Sequence, residues 1–418
     1  MKKFKIPPKT LNLLKLIGQL ADERGEAAYA VGGFVRDLFL DSPGLDIDIS
    51  IEGDGVGFAK ALAEKTKSKV EAFTHFGTSI VIIPSFGKVD VATARTESYA
   101  KPGTLPSVVK SVIAQDLFRR DFSINAMALK LAPDFFLQLL DPFNGLQDLK
   151  KGRIRALHPQ SFIDDPTRVF RAVRFEQRFQ KHIEPMTRKW LLDSLKRRSL
   201  NTVSGERLRN EFHLIFKEPH PEKAVWRLHE LGVLPKVHPS LGLSAAAKKT
   251  LPRVAAAIQF FRERKIAIED EKMVWFQAML ARSTAKQIRA LSKRLMLSRH
   301  EQKVVFQSAD ASPSLLKRLG RKDLTPSRMY EMLSPLLPEV RCYLVAAASD
   351  GLREKMMGYL LKIQKLRPWI RGRDLQSLGI PPGFRYSYIL LEALNGQLNG
   401  KFKNRKQAFR WVQSSFAP

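Results

Sequence analysis

Gly32-Gly33-Phe34-Val35-Arg36-Asp37, followed shortly by Leu45-Asp46-Ile47-Asp48-Ile49, decides how this chain is read. Within 17 positions it sets a turn-forming glycine pair, a basic side chain and two carboxylates one residue apart. Ala28–Val31 reads as a strand and Phe34–Leu40 as a helix, with Asp41-Ser42-Pro43-Gly44 turning the chain into a second strand, Leu45–Ile51. Side chains alternate on a strand, so Asp46 and Asp48 share one face while Ile47, Ile49 and Ile51 share the other. Two acids about 7 Å apart repel each other unless a cation sits between them. Magnesium, which takes hard oxygen ligands, suits that position. A solvent-facing edge strand or a calcium site would also carry the two acids, but the isoleucines mark a half-buried strand whose open face is a cleft.

Working outward, Gly57–Lys65 reads as a helix, and Ser79–Pro84 and Lys88–Ala92 as further strands. Asp90 lies on the last of these and brings a third carboxylate. Three converging acids would hold two magnesium ions, one activating a 3′ hydroxyl and one clamping a triphosphate. Gly33 lets backbone N–H groups approach a phosphate at the start of the helix, and Arg36 adds charge there. A plain strand-to-helix turn that needs small residues explains the glycine pair as well. Arg95–Ala114, with two prolines, a glycine and no periodicity, is expected as a long loop with a function. Arg119-Arg120-Asp121-Phe122-Ser123-Ile124-Asn125-Ala126 and Asp141-Pro142-Phe143-Asn144-Gly145 close this α/β region.

From about residue 150 the pattern is helical to the end. In Phe162-Ile163-Asp164-Asp165-Pro166-Thr167-Arg168-Val169-Phe170-Arg171-Ala172-Val173-Arg174-Phe175, an aspartate caps a helix that has Pro166 in its first turn. Capping explains none of the arginines. Arg168, Arg171 and Arg174 recur every third position and wind around the helix, so they serve different partners. Asp165 and Arg168, one turn apart, form a pair in which the carboxylate accepts and the guanidinium donates. Presented to a base edge, that pair suits cytosine and adenine and rejects uracil and guanine, whose ring N–H would face the arginine. Joints are expected at Lys217–Pro221, Val237–Leu243, Ser312-Pro313 and Ile380–Gly383.

The charge balance narrows the partners. The 418 residues carry 71 Lys and Arg against 41 Asp and Glu, a net +30, which is costly unless a polyanion meets it. Residues 351–418 hold 13 basic and 3 acidic residues. There Lys401, Lys403, Arg405, Lys406 and Arg410 form either an RNA-binding footprint or a solvated face. No apolar run reaches the ~18–20 residues of a spanning helix, so no membrane partner is expected. Met1-Lys2-Lys3 and Leu11–Leu20 have the outline of a signal peptide, but Lys15 interrupts it, and Leu13, Leu14, Ile17 and Leu20 fit an amphipathic helix. A single cysteine, Cys342, excludes an internal disulfide, and a cytoplasmic location is expected.

Together the glycine-pair segment, Asp46-x-Asp48, the Arg119–Ala126 segment, Asp141–Gly145 and Asp164-Asp165-Pro166-Thr167-Arg168 resemble the tRNA nucleotidyltransferase/poly(A) polymerase family, in its bacterial and eukaryotic class. Ser204-Gly205-Glu206-Arg207-Leu208 resembles the helical element that follows the family's base-reading helix. The resemblance covers roughly residues 28–215. It implies Asp46, Asp48 and Asp90 as catalytic metal ligands, and Gly33, Arg36 and Arg120 around the triphosphate. It also implies Asp165, Arg168, Arg171 and Arg174 around the base, with 95–114 as a flexible loop that helps the pocket change between CTP and ATP. Asp164 stands where the family usually has a glutamate, and Asn144 where a glycine is common. The segment Ile51-Glu52-Gly53-Asp54-Gly55 is most similar to the A-adding branch.

The expected fold is α+β: a nucleotidyltransferase head with a mixed sheet over 1–145, a helical neck with the base pocket over 146–218, a helical body over 219–370 and a basic tail over 371–418. The expected function is template-independent addition of CMP or AMP, from CTP or ATP, to the acceptor end of tRNA, with two Mg2+ ions and no obligate protein partner. A poly(A) polymerase and a non-catalytic RNA-binding protein are the alternatives.

Overall fold

A computed structural model describes residues 4–416 apart from 42–45, 74–76, 85, 99–102, 104–105, 282 and 365. The expected turn at 42–44, the first residue of the second strand, Leu45, and Met1-Lys2-Lys3 therefore lie outside the described residues. The chain divides into two compact units, Met1–Val237 and His238–Pro418.

The first unit opens with α1 (Pro8–Glu23), which buries Leu13, Leu14, Ile17 and Leu20 as an amphipathic helix. There follow β1 (Ala27–Val31), α2 (Gly33–Phe39), β2 (Ile47–Glu52), α3 (Gly55–Lys65), β3 (Lys69–Phe73), β4 (Thr78–Ile83) and β5 (Gly87–Thr93). After them come β6 (Arg95–Ser98), β7 (Ser107–Lys110), α4 (Ile113–Phe118), β8 (Ala128–Lys130) and β9 (Leu139–Leu140). Seven of these strands form a mixed sheet in the order β3-β4-β5-β2-β1-β8-β9. Only β2 and β5 run parallel, and the crossover between them passes through α3, β3 and β4.

Alternation on β2 gives the sheet its two characters. Ile47, Ile49 and Ile51 lie beside Val89 and Val91 of β5, and all are at most 1% exposed. Phe58 and Leu62 of α3, which packs on β2, β4 and β5, are fully buried. The register that stacks these apolar residues also sets Asp48 opposite Asp90 on the other face, with Val31 opposite Asp48 on the β1 side.

The expected loop at 95–114 is largely an antiparallel hairpin, β6–β7, paired from Arg95↔Lys110 to Ser98↔Ser107 and followed by α4. Its β-branched Thr96, Val108 and Val109 favour the pleat over a coil. Residues 99–102 and 104–105 of that stretch lie outside the described residues.

Helices then take over: α5 (Gly145–Lys151), α6 (Ser161–Asp164), α7 (Arg168–Arg178), α8 (Pro185–Lys196), α9 (Gly205–Phe216), α10 (Pro221–Glu230) and α11 (Leu234–Val237), with a two-strand pair β10 (Arg153–Ile154) and β11 (His182–Ile183). The capping acid stands slightly off its expected place. α7 starts at Arg168, beyond Pro166, and Asp165 serves the entry by accepting from the Thr167 N–H at 3.1 Å and the Thr167 hydroxyl at 2.7 Å. α10 packs on α7 and α9, and Arg227 Nε donates to Glu176 at 2.6 Å.

The second unit is helical throughout its described residues: α12 (Ala245–Glu263), α13 (Glu271–Met279), α14 (Ala285–Arg294), α15 (Arg299–Leu319), α16 (Pro326–Leu333), α17 (Pro338–Ala347), α18 (Asp350–Gln364), α19 (Gly372–Ser377), α20 (Phe384–Leu398) and α21 (Arg405–Phe416). The expected joints at 217–221, 237–243 and 380–383 fall between helices. The one at Ser312-Pro313 does not, because α15 runs through it. Buried Val304, Val305, Leu315 and Leu319 lie on both sides of the proline, and their packing outweighs one lost backbone hydrogen bond.

Ile49→Ala removes a side chain from the fully apolar face without touching the acids. A loss of about 2–4 kcal/mol is expected, read as a lower urea midpoint for the first unit.

Candidate active site

The site is built where β1 ends and β2 begins, alongside β5, beside α2, the segment after α4 and the start of α7. Gly32 takes φ +69°, a left-handed conformation, and a Cβ there would lie 2.7 Å from Arg120 Nη1 and 3.4 Å from Asp48 Oδ2. The first glycine is therefore required by backbone conformation and by the closeness of two charged side chains. From α2, Arg36 turns inward and is 5% exposed. Its Nη1 donates to Asn125 Oδ1 at 2.5 Å, and its guanidinium lies 4.5 Å from the centre of the Phe179 ring.

These groups open onto one cavity of about 720 Å³. Gly32, Gly33, Arg36, Asp48, Asp90, Arg120, Asp165, Arg168 and Arg171 all line it. That volume falls in the range of small-molecule sites.

The acid face is charged and poorly compensated. Burial pushes the Asp48 carboxyl up from its ordinary value, the Arg120 guanidinium pulls it down, and Asp90 and Asp46 push it up again. Lys88 Nζ lies 2.8 Å from Asp90 Oδ2, and that bond holds the ammonium above its usual range. Asp46 is exposed at the entrance to β2 and is absent from the cavity lining, though it acts electrostatically on both Asp48 and Lys88. Asp48 and Asp90, served by one half-exposed lysine and one arginine, are a hard-oxygen pair short of positive charge, and this fits a divalent cation; Asp46 does not come together with them as a third ligand in this structure.

The arginines are held by a second layer of acids. Asp116, on α4, accepts from Arg119 Nη2 at 2.6 Å and from Arg120 Nη2 at 2.9 Å. Burial alone would raise its pKa, but the Arg120 and Arg119 guanidiniums hold it below the usual carboxylate range. Asp121 is treated likewise: burial opposes ionisation, yet Arg171 and the Asn125 amide bring it down to about 2. Arg171 reaches it with Nε at 2.7 Å and Nη2 at 2.5 Å.

The three arginines of α7 do serve different partners. Arg168 donates to the Ser161 hydroxyl at 2.6 Å and to the Arg119 carbonyl at 2.7 Å. Arg171 meets Asp121. Arg174 is buried, does not line the cavity, and lies 3.9 Å from Glu211 and 3.6 Å from Glu218. The winding of the helix turns it toward α9 and away from the cavity that Arg168 and Arg171 line. Asp165 and Arg168 share the cavity but do not bond each other as a pair. Asp165 Oδ1 instead accepts from Arg207 Nη2 at 2.8 Å. Sequence reading missed Asp116, Asn125 and Arg207 as site residues, although Asp116 stands one helical turn before Arg120 and Arg207 lies in a recognised segment.

In the basic tail, Lys403, Lys406 and Arg410 are exposed. Arg405 is tied to Asp374 at 2.6 Å and to the Trp369 carbonyl at 3.1 Å, and Lys401 Nζ lies 4.3 Å from the centre of the Trp411 ring. Those two serve the tail's own packing.

A mixed sheet with paired acids over a cleft, followed by a helix that turns an acid and arginines into the same cleft, defines a nucleotidyltransferase head. The family model described as the poly A polymerase head domain matches residues 28–155, and that of the probable RNA and SrmB-binding site of polymerase A matches 182–243. The A-adding tRNA nucleotidyltransferase of Geobacter sulfurreducens is 37% identical over 412 residues, 97% of this chain and 47% of that protein. That of Halalkalibacterium halodurans is 34% identical over 411 residues, 97% of this chain and 92% of that protein. The chain thus spans about half the length of the first relative and nearly all of the second. Among solved structures, a CCA-adding enzyme in an apo form superposes with a TM-score of 0.89 at 33% identity, over 99% of this chain and 97% of that one. The Thermotoga maritima CCA-adding enzyme complexed with tRNA gives 0.84 at 32%, over 98% and 96%. The chain belongs to the tRNA nucleotidyltransferase family.

Two substitutions separate the charges that hold the fold from those that strain it. Asp48 has a raised folded pKa, so what it adds to stability is complete below the unfolded pKa and is lost as pH rises through the folded one. Asp48→Asn is expected to raise Tm at neutral pH by about 1 °C or more, with no gain at pH 3. Asp121 has a depressed pKa, so its contribution is present above about 3.9 and is lost as pH falls toward 2. Asp121→Asn is expected to cost about 3 kcal/mol at pH 7 by leaving Arg171 short of its partner. Thermal melts from pH 3 to 8 check both.

Proposed function

We propose that this chain is a template-independent nucleotidyltransferase that completes the 3′ CCA end of tRNA by adding AMP from ATP. What carries the reading is that one cavity is lined both by the acid face, Asp48 and Asp90, and by the base-reading residues Asp165 and Arg168. Nucleotide polymerisation without a template needs that juxtaposition, since the side chains that choose the base must sit one nucleotide's length from those that serve the phosphates. The choice of AMP is supported by the A-adding names of the two relatives that align along 97% of the chain.

In this reading Gly33, Arg36 and Arg120 take the triphosphate, with Asp116 holding Arg120 in place. Asp165 accepts from the exocyclic amine of adenine and Arg168 donates to the adjacent ring nitrogen, while Asp121 steadies Arg171 at the pocket wall. Arg174 acts indirectly, by bracing α7 against α9. The terminal hydroxyl of the tRNA attacks the α-phosphate, a new phosphodiester forms, and the bond to pyrophosphate breaks. Asp46, Asp48 and Asp90 would hold Mg2+, two ions in all, which when bound supply charge neutralisation at the hydroxyl and the phosphates. The basic surface, including Lys403, Lys406 and Arg410, grips the tRNA backbone. The finer division into head, neck, body and tail follows the same reading. So does a cytoplasmic location; among the described residues no helix is long and apolar enough to cross a membrane.

Transcripts ending before CCA, after C and after CC, each offered ATP, CTP or both, test the proposal. Addition of one A to the CC-ended transcript alone is expected. Growth by three nucleotides from the shortest transcript makes it a CCA-adding enzyme instead, and an unbounded ladder of A makes it a poly(A) polymerase. Asp46→Ala and Asp48→Ala are each expected to lower incorporation about 10²–10³-fold or more while RNA binding persists.

A further inference from the structure

The second unit places a histidine between two glutamates drawn from three separate elements. Glu269 lies in the segment joining α12 to α13, His300 is the second residue of α15, and Glu339 is in the first turn of α17. One donor atom from each lies within 4.8 Å of the other two. His300 Nδ1 is 3.7 Å from Glu269 Oε2, and Nε2 is 3.7 Å from Glu339 Oε1. Both separations are too long for hydrogen bonds.

Glu339 is 0% exposed. Its Oε1 accepts from the Glu269 and Asp270 backbone N–H groups, each at 3.0 Å, and its buried Oε2 has no partner. His300 Nε2 is also buried and unpartnered. The imidazole and the carboxylate face each other with one nitrogen and one oxygen left unserved, which is costly, and a cation held by the two groups lowers that cost.

The neighbouring acids are otherwise engaged. Asp270 caps α13 through the Lys272 N–H, and Glu271 pairs with Arg262. Arg341 is close enough to feel the Glu339 charge, but burial lowers its own pKa and its Nε has no hydrogen-bond partner. Cys342 is absent from the converging set, and burial pushes its thiol up, so it stays protonated.

We propose that Glu269, His300 and Glu339 form a structural site for a divalent transition-metal ion of the zinc class. One imidazole nitrogen with two carboxylate oxygens suits zinc better than magnesium, which keeps its waters and prefers oxygen. Zinc bonds of about 2.0–2.2 Å separate tetrahedral ligands by roughly 3.3–3.6 Å; His300 Nε2 and Glu339 stand at 3.7 Å, while the full set, within 4.8 Å, closes by movement of the exposed Glu269 side chain. Glu269 is exposed, which leaves a solvent-facing position for a water as fourth ligand. The ion ties the α12–α13 segment to the first turns of α15 and α17. All three residues belong to the second unit, whereas Asp46, Asp48 and Asp90 belong to the first, and the site does not depend on the proposed reaction.

The test uses the full chain carrying Asp46→Ala and Asp48→Ala, so that the cleft acids do not compete. The metal-free protein is dialysed against Zn2+ in the presence of millimolar Mg2+, and bound zinc is measured by elemental analysis. One zinc per chain is expected, with a higher Tm than the metal-free protein. Adding His300→Ala or Glu269→Gln is expected to weaken binding about tenfold or more and to abolish the Tm shift. Glu269 is at the surface, so its variant tests the ligand set without threatening the core. Absence of bound zinc, or zinc binding unchanged by both variants, overturns the proposal.

Discussion

The buried carboxylate of Asp121 is the tie on which the first unit depends. Through Oδ1 it accepts from the Asn125 amide at 2.9 Å, and Asn125 in turn accepts from Arg36 on α2. Through Oδ2 it takes both the Nε and Nη2 of Arg171 on α7. One side chain therefore joins the helix after the glycine pair to the helix that presents Arg168. Each link is charge-assisted and at least partly buried, so each is stronger than the same bond would be in water. This chain of bonds fixes Arg36 of α2 and Arg171 of α7, which both line the cavity, relative to each other.

The sheet contributes a different constraint. Stacking Ile47 and Ile49 against Val89 and Val91 leaves no choice about Asp48 and Asp90, which must meet on the opposite face. The apolar side drives the pairing, and the polar side bears the repulsion that follows. Burial and two neighbouring acids raise the pKa of Asp48, so the folded state carries strain at the position where a cation is useful. Stability from one face and reactivity on the other come from the same period of two.

Much of this was legible in the sequence, for reasons that differ from residue to residue. The isoleucine–aspartate alternation specified β2 and its orientation because strand periodicity acts locally. The arginines of α7 were correctly read as pointing in three directions because helix geometry alone dictates that. What they would meet was not legible: Arg174 turns to Glu211 and Glu218, which lie 37 and 44 residues further along. The β6–β7 hairpin was hidden by its prolines and glycine, since two short strands pair through contacts a linear pattern does not show. Ser312-Pro313 misled in the opposite sense, because packing on both sides of the proline carries α15 through a local breaker.

Arg207 shows how far such distant contacts organise the site. Its Nη2 donates to Asp165 Oδ1, and its Nη1 donates at 2.9 Å to the carbonyl of Gly103, between β6 and β7. The Gly103 N–H meets the Asp164 carbonyl at 3.2 Å, and Thr202 packs so closely that a Cβ on Gly103 would lie 2.4 Å from its hydroxyl oxygen. Gly103 is thus clipped to the backbone and side chains that set Asp165. Because one guanidinium serves both, Asp165 and Gly103 are not positioned independently: withdrawing the carbonyl leaves Arg207 short of an acceptor and frees the fork that aims the carboxylate. A stretch that reads as a long loop with a function is, in three dimensions, fastened through Gly103 to Arg207 and to the backbone of Asp164.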